Sequence, residues 1–270
     1  MSFKTNTLSK FNINLTGNGS QPILFVHGYG CDQNMWRKLL PYFKDNYKIV
    51  LMDLMGAGNS DIEHYNFDKY DSLQGYADDI VEICQSLELS NVILVGHSVS
   101  AMIGLLATNS APEIFSSLIM VTPSPCYINK ENYQGGFSTE DIDNLINAVE
   151  SNYLGWSSEI APAIMGTPDQ PELAEELKES FCRNNPTIAK HFAKVTFTSD
   201  NRANLLKSQT NTLVIQVTND FLAAQKVGEY IHHQLPKSKL EILQTHGHCP
   251  HMSNPKITTD AIANFLILNE

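Results

Sequence analysis

Three short apolar runs in the first hundred residues each end in glycine and polar residues. They are ILFV at 23–26, IVLM at 49–52 and VILV at 92–95, followed by HGYG, DLMGAGNS and GHSVS. Strands that are apolar throughout, without alternation, are typical of a parallel sheet buried on both faces. The intervening segment 72–87 carries apolar residues at helical spacing. These patterns predict an α/β fold, with a mostly parallel central sheet and helices on both faces.

The alternation of predicted strands and helices stops after a fourth apolar run, at 118–121, and resumes near residue 212. The later elements are predicted as strands at 212–217 and 240–243 and helices at 223–235 and about 256–268. Between them, residues 126–205 show apolar stripes at helical spacing and no strand pattern. Ser138, Pro171 and Pro186 are residue types that commonly begin helices.

The sequence is therefore predicted to form a core from residues 1–125 and 206–270. Residues 126–205 are predicted to form a helical lid inserted after the sixth strand of the sheet. Such an insertion in an α/β chain usually packs on the sheet. The alternative is that the apolar stripes of these helices only pack on one another.

Charge and cysteine content exclude several classes of function. The formal net charge is −11, with no basic run, which disfavours nucleic acid as a partner and suits a neutral small ligand. The five cysteines are odd in number and contain no CxxC, as expected of reduced thiols in the cytoplasm. No stretch reaches the roughly 20 apolar residues of a membrane span, and the first residues lack the apolar core of a signal peptide. We therefore expect a cytoplasmic protein without membrane or nucleic-acid partners.

The sequence Gly96-His97-Ser98-Val99-Ser100 lies between a predicted strand and a predicted helix. In this context, G-x-S-x-G forms a sharp turn that exposes a nucleophilic serine at the edge of the sheet. Ser100 stands where the last glycine is usual, and serine is small enough for the helix to approach. The alternative is that Ser98 is only the N-cap of the helix.

A nucleophilic serine needs a base and an acid that orients the base. His248 follows the strand at 240–243 and is the favoured base, with His246 and His251 as neighbouring rivals. Asp220 follows the strand at 212–217, whereas the segment after 118–121 offers no carboxylate. A metal site among the clustered histidines is the weaker alternative, because no carboxylate or cysteine there shows ligand spacing. We therefore predict no metal and no cofactor.

Two backbone N–H groups are expected to form an oxyanion hole. Val99 follows the nucleophile, and Tyr29 lies in the HGYG turn, where His27 is expected to hold the loop. Serine at the turn, where some hydrolases of this architecture have aspartate, favours acyl transfer from an ester or lactone.

The chain resembles an α/β-hydrolase of the RsbQ type, a bacterial regulator of the general-stress sigma factor. It is also similar to the related plant karrikin and strigolactone receptors. The segments that carry the resemblance span nearly the whole chain, and several lie in the predicted lid. They are HGYGCDQNMW, GHSVSAMIG, TPSPCYIN, YQGGF, NYLGW, PELAEELKESFC, FTSDNR and GHCPHMSNP.

The resemblance implies the same nucleophile, acid, base and oxyanion residues as above. It further implies a substrate pocket formed by Tyr127, Phe137, Leu145, Trp156, Phe197 and Phe221. Tyr29 replaces the usual phenylalanine and is expected to add a hydroxyl at the pocket mouth.

The family implies two functions for a chain of this kind. One is slow hydrolysis of small hydrophobic esters or butenolide-like lactones, combined with stress signalling. The other is a barely catalytic small-molecule receptor that activates a partner protein through its lid. For the bacterial type, that partner resembles a PAS-domain phosphatase.

Overall fold

The computed structural model describes residues 3–268 and contains one mixed sheet. Its seven strands are β1 (Asn14–Thr16), β2 (Gln21–Val26), β3 (Tyr47–Met52), β4 (Val92–His97), β5 (Phe115–Val121), β6 (Asn211–Asn219) and β7 (Ser238–His246). They are ordered β1-β3-β2-β4-β5-β6-β7, and only the pairing of β1 with β3 is antiparallel. The predicted α/β fold with a mostly parallel sheet is therefore confirmed.

Twelve α-helices are formed by the described residues. They are α1 (Phe3–Lys10), α2 (Leu40–Phe43), α3 (Leu73–Ser86), α4 (Val99–Ser110), α5 (Thr139–Ser151), α6 (Tyr153–Met165), α7 (Pro171–Arg183), α8 (Pro186–Thr198), α9 (Arg202–Leu205), α10 (Gln225–Gln234), α11 (Pro250–Ser253) and α12 (Pro255–Ile267). Short 3₁₀ helices cover Gln33–Trp36 and Ile62–His64. None of the helices within residues 3–268 is both long enough and apolar enough to cross a membrane.

The central strands are buried along their length, as their unbroken apolar sequences predict. All six residues of β4 are buried, and in β2 only the first residue is partly exposed. By contrast, the three residues of β1 are exposed, because this strand forms the edge of the sheet. The buried strands give rigid support to the loops that follow them.

Helices α5 to α9 form the segment between β5 and β6, which we call the helical insertion (residues 126–205). It follows the fifth strand of this sheet, so the prediction of an insertion after the sixth strand was wrong by one. The sheet begins at Asn14, and β1 to β5 are the strands that precede the insertion among the described residues.

The predicted helix starts of the insertion agree with the structure. Ser138 accepts from the backbone of Asp141, whose carboxylate bonds back to Ser138, completing a capping box at α5. The Asn185 side chain caps α8. Helix α6 escaped prediction because it is apolar on several sides and contains Pro162, which obscures the helical period.

Candidate active site

Ser98 occupies a sharp turn between the last residue of β4 and the first residue of α4. Its backbone has φ 56° and ψ −121°, a conformation that L-residues rarely adopt. The turn is tight because Gly96 has no side chain: a Cβ there would lie 2.3 Å from the carbonyl oxygen of Ser100. The serine side chain is thus held at the N-terminus of α4, where the helix dipole favours negative charge.

Ser98, His248 and Asp220 form one chain of hydrogen bonds. His248 Nε2 lies 2.7 Å from Ser98 Oγ, and His248 Nδ1 lies 2.8 Å from Asp220 Oδ2. Because a carboxylate only accepts, the ring proton sits on Nδ1, and Nε2 is left to accept from the serine hydroxyl. All three side chains are buried. The structure therefore brings the three predicted residues together in an arrangement suited to a nucleophile, a base and an orienting acid.

Backbone contacts hold the acid and the base in place. Asp220 Oδ1 accepts from the N–H groups of Leu222 and Ala223, at 2.8 and 3.1 Å. The backbone N–H of His248 donates to the carbonyl oxygen of Ile164 at the end of α6, at 2.8 Å. The loop that carries the histidine is therefore bonded directly to the helical insertion.

The rival histidines are placed where they cannot act on Ser98. His246 is exposed at the end of β7. His251 is fully buried, and neither of its ring nitrogens has a hydrogen-bond partner in the described part of the chain. It packs on the rings of Trp36 and His97. Burial lowers the pKa of His251 to about 3.

His251 should make the protein sensitive to acid. Its ring is neutral in the folded state, but in the unfolded chain it takes a proton below about pH 6.5. The unfolded state therefore binds more protons as the pH falls from 6.5 towards 3, and stability is lost over that range. We expect His251→Leu to flatten the fall in Tm between about pH 7 and pH 5 and to leave Tm at pH 7 unchanged or higher. Thermal melts at several pH values check this, and equal slopes in both proteins would contradict it.

Within residues 3–268, one group of potential metal ligands is closely spaced. The ligating atoms of His97, Cys249 and His251 all lie within 4.8 Å of one another. However, His97 Nε2 donates to the carbonyl oxygen of His248, at 2.9 Å, and its Nδ1 packs against Gly28, where a Cβ would lie 2.4 Å away. Burial also raises the pKa of the Cys249 thiol well above its usual range. These three side chains are therefore packed as a neutral cluster next to His248.

The turn at residues 27–30 is tied to neighbouring elements. His27 Nδ1 donates to the carbonyl oxygen of Gly28 at 2.8 Å. His27 Nε2 accepts from the N–H of Leu54 at 3.0 Å. The hydroxyl of Ser100 donates to the carbonyl oxygen of His27. The residue that replaces the usual glycine thus links the serine turn to this loop.

The two predicted oxyanion donors remain available for a ligand. The Tyr29 N–H donates to no other described residue. The Val99 N–H, at the first position of α4, has no acceptor within the helix and none elsewhere among residues 3–268.

A small cavity adjoins Ser98 beneath the helical insertion. Its other lining residues are Tyr29, Cys31, His97, Tyr127, Trp156, Ile164, Leu177, Phe181, Thr196, Phe197, Leu222, His248 and Cys249. The lining contains no aspartate, glutamate, lysine or arginine. The free volume is about 20 Å³, room for about one water molecule. A substrate can therefore enter only if the surrounding side chains or the insertion move.

Three of the six predicted pocket residues line this cavity: Tyr127, Trp156 and Phe197. Phe137, Leu145 and Phe221 do not. Phe221 is 49% exposed and contacts the ring of Phe137, because the chain turns outward directly after Asp220. Leu145 is only partly buried on α5, whose fully buried residues are Ile142 and Val149.

Helix α7 supplies two cavity residues that the sequence prediction missed, Leu177 and Phe181. Both lie on the apolar stripe of that helix, but a stripe does not show which neighbour it faces. The hydroxyl of Tyr29 is also placed differently from the prediction. It donates to the carbonyl oxygen of Ala189 in α8, at 2.9 Å, instead of facing the pocket mouth.

Comparison with known proteins agrees with this architecture. A family model described as the alpha/beta hydrolase fold matches residues 21–255. The strigolactone esterase D14 of Arabidopsis thaliana is 38% identical over 251 residues, which cover 93% of this chain and 94% of its own. The karrikin insensitive 2 receptor IA of Petunia hybrida is 37% identical over 247 residues, covering 91% of this chain and 90% of its own.

A solved structure of a hydrolase from Oleispira antarctica superimposes with a TM-score of 0.95. It is 41% identical in sequence, and the match covers 97% of this chain and 96% of that one. The chain therefore belongs to the α/β-hydrolase family, and it is homologous to a plant strigolactone esterase and a plant karrikin insensitive 2 receptor.

Proposed function

We propose that the protein hydrolyses small neutral esters or lactones through an acyl-enzyme on Ser98. The observation that carries this proposal is the hydrogen-bonded chain from Ser98 through His248 to Asp220, which opens onto an apolar cavity. Similarity to a strigolactone esterase supports the same class of chemistry.

In the proposed reaction, Ser98 Oγ attacks the carbonyl carbon while His248 Nε2 takes the hydroxyl proton. Asp220 stabilises the imidazolium that forms. The N–H groups of Tyr29 and Val99 stabilise the oxyanion of the tetrahedral intermediate. His248 then returns the proton to the leaving alcohol, or to the ring oxygen of a lactone. Water activated by His248 next attacks the acyl-enzyme and releases Ser98.

The cavity favours short, uncharged acyl groups. Its lining contains no aspartate, glutamate, lysine or arginine to pair with a charged acyl chain, so burying such a chain there would be costly. The aromatic rings around Ser98 offer apolar contact area. Burial also raises the pKa of the Tyr127 hydroxyl to about 12, so this group stays neutral.

The first test is turnover of p-nitrophenyl esters of increasing chain length. We expect acetate and butyrate to be hydrolysed slowly, and kcat/KM to fall at least about ten-fold by the octanoate, because the cavity must expand to admit each added methylene. Each rate is corrected with Ser98→Ala as the blank. Equal or rising rates with chain length, or no turnover of any short ester or butenolide, would contradict the proposal.

A second candidate function is ligand sensing with little turnover, in which the helical insertion signals to a partner protein. The nearly filled cavity favours it, because a ligand can enter only if the surrounding side chains or the insertion move. Similarity to karrikin receptors supports the same idea. In the form implied by the sequence motifs, the protein is an RsbQ-type stress regulator whose partner is a PAS-domain phosphatase. If Ser98→Ala still activates such a phosphatase in the presence of ligand, hydrolysis is incidental to signalling. If activation needs Ser98, turnover is part of the signal.

A further inference from the structure

The oxyanion loop, residues 27–31, is bonded to the helical insertion as well as to the sheet. The carbonyl oxygen of Gly30 accepts from Ser180 Oγ at 3.1 Å and from Asn184 Nδ2 at 2.9 Å. Both donors are buried at the end of α7. The Gly30 carbonyl directly follows Tyr29, whose N–H is a proposed oxyanion donor.

Helix α7 also packs directly against the loop. Gly30 has φ +72°, and a Cβ at this position would lie 1.9 Å from the ring of Phe181. A glycine is therefore needed both for the left-handed backbone and for the close approach of the helix. The loop and the C-terminal turn of α7 consequently behave as one packed unit.

The side chain of Asn184 bridges this unit. Its amide group donates to Gly30 on the loop and, at 3.0 Å, to the carbonyl oxygen of Ser180 in the last turn of α7. An amide has two N–H groups, so Asn184 can make both bonds at once. The bridge fixes the plane of the peptide that follows Gly30 relative to the helix. Two ion pairs also join α7 to this region, but each includes an exposed arginine and is weak by comparison.

We propose that Asn184, assisted by Ser180, is a positioning residue for the oxyanion hole. This inference rests on the proposed hydrolase function. An oxyanion donor is effective only when its N–H lies within hydrogen-bond distance of the developing charge. Releasing the Gly30 carbonyl lets the loop rotate and carries the Tyr29 N–H out of line. The position of α7 therefore sets the rate of acyl transfer, and any movement of the insertion changes it.

The test compares Asn184→Ala with Asn185→Ala. The neighbouring Asn185 side chain is exposed and accepts from the N–H groups of Thr187 and Ile188 in α8, so its loss controls for a weakened insertion. For p-nitrophenyl acetate, we expect Asn184→Ala to lower kcat about ten-fold with KM changed less than about three-fold. Adding Ser180→Ala should lower kcat further, whereas Ser180→Thr, which keeps the hydroxyl, should stay near wild type. The affinity for an alkylboronic acid, a mimic of the tetrahedral intermediate, should fall in parallel with kcat/KM.

If Asn184→Ala and Asn185→Ala have the same kcat and the same boronate affinity, this inference is overturned and the proposed function remains intact. A change in KM alone would also overturn it. If Asn184→Ala does not fold, the comparison of Ser180→Ala with Ser180→Thr gives the same decision. Absence of Ser98-dependent turnover in the wild type would instead overturn the proposed function, and this inference with it.

Discussion

Ser98→Ala should lower kcat for p-nitrophenyl butyrate by about 10⁴-fold or more and should abolish any burst of p-nitrophenol. The expected loss is this large because, among residues 3–268, Ser98 Oγ is the only hydroxyl hydrogen-bonded to His248 Nε2, at 2.7 Å. The fold should be preserved, since the backbone N–H of residue 98 still bonds to Val121. Stopped-flow and steady-state absorbance measurements check both expectations.

Ser157→Ala is the matched control for this substitution. Ser157 is also fully buried, but its hydroxyl donates to the carbonyl oxygen of Tyr153 within α6, at 2.7 Å. Its loss should change kcat by less than a few-fold. A residual rate in Ser98→Ala within ten-fold of wild type would mean that another group carries the reaction.

Asp220→Asn should reduce kcat by about 10³- to 10⁴-fold while leaving the structure intact. Oδ1 accepts from the N–H groups of Leu222 and Ala223, so the amide oxygen of asparagine should take that position. The amide nitrogen then faces His248 Nδ1 and donates to it. The ring proton of His248 then lies on Nε2, and that nitrogen can no longer accept the proton of Ser98.

Asp79→Asn provides the comparison for Asp220→Asn. The Asp79 carboxylate is also buried, but it bonds to Lys69 and to the Tyr70 hydroxyl, and none of these residues lines the cavity at Ser98. We expect this variant to lose thermal stability and to keep its kcat. If Asp220→Asn retained near-wild-type kcat, Asp220 would not set the tautomer of His248.

The sequence was sufficient to predict that Ser98, Asp220 and His248 lie together, because each follows an apolar strand of a parallel sheet. The carboxyl ends of such strands meet at one edge, so residues far apart in the chain are expected to lie together. Chain order and the residue types at those ends then left few alternatives.

The pocket and the loop contacts could not be predicted in the same way. Phe221 is next to Asp220 in the chain, yet its ring faces outward, because the direction of a side chain after a strand depends on the local turn. Asn184 is 154 residues from its partner Gly30, and Ser100 is 73 residues from His27. Such contacts depend on how the helical insertion docks, which hydrophobic periodicity does not specify.

The proposed activation of Ser98 by His248 is tested most directly by the mass of the intact protein, followed by peptide mapping, after reaction with an alkyl fluorophosphonate. We predict one added phosphonyl group, located on Ser98, absent in Ser98→Ala and formed much more slowly in Asp220→Asn. Labelling of a different residue, or no labelling of a wild-type protein that still hydrolyses esters, would contradict the claim.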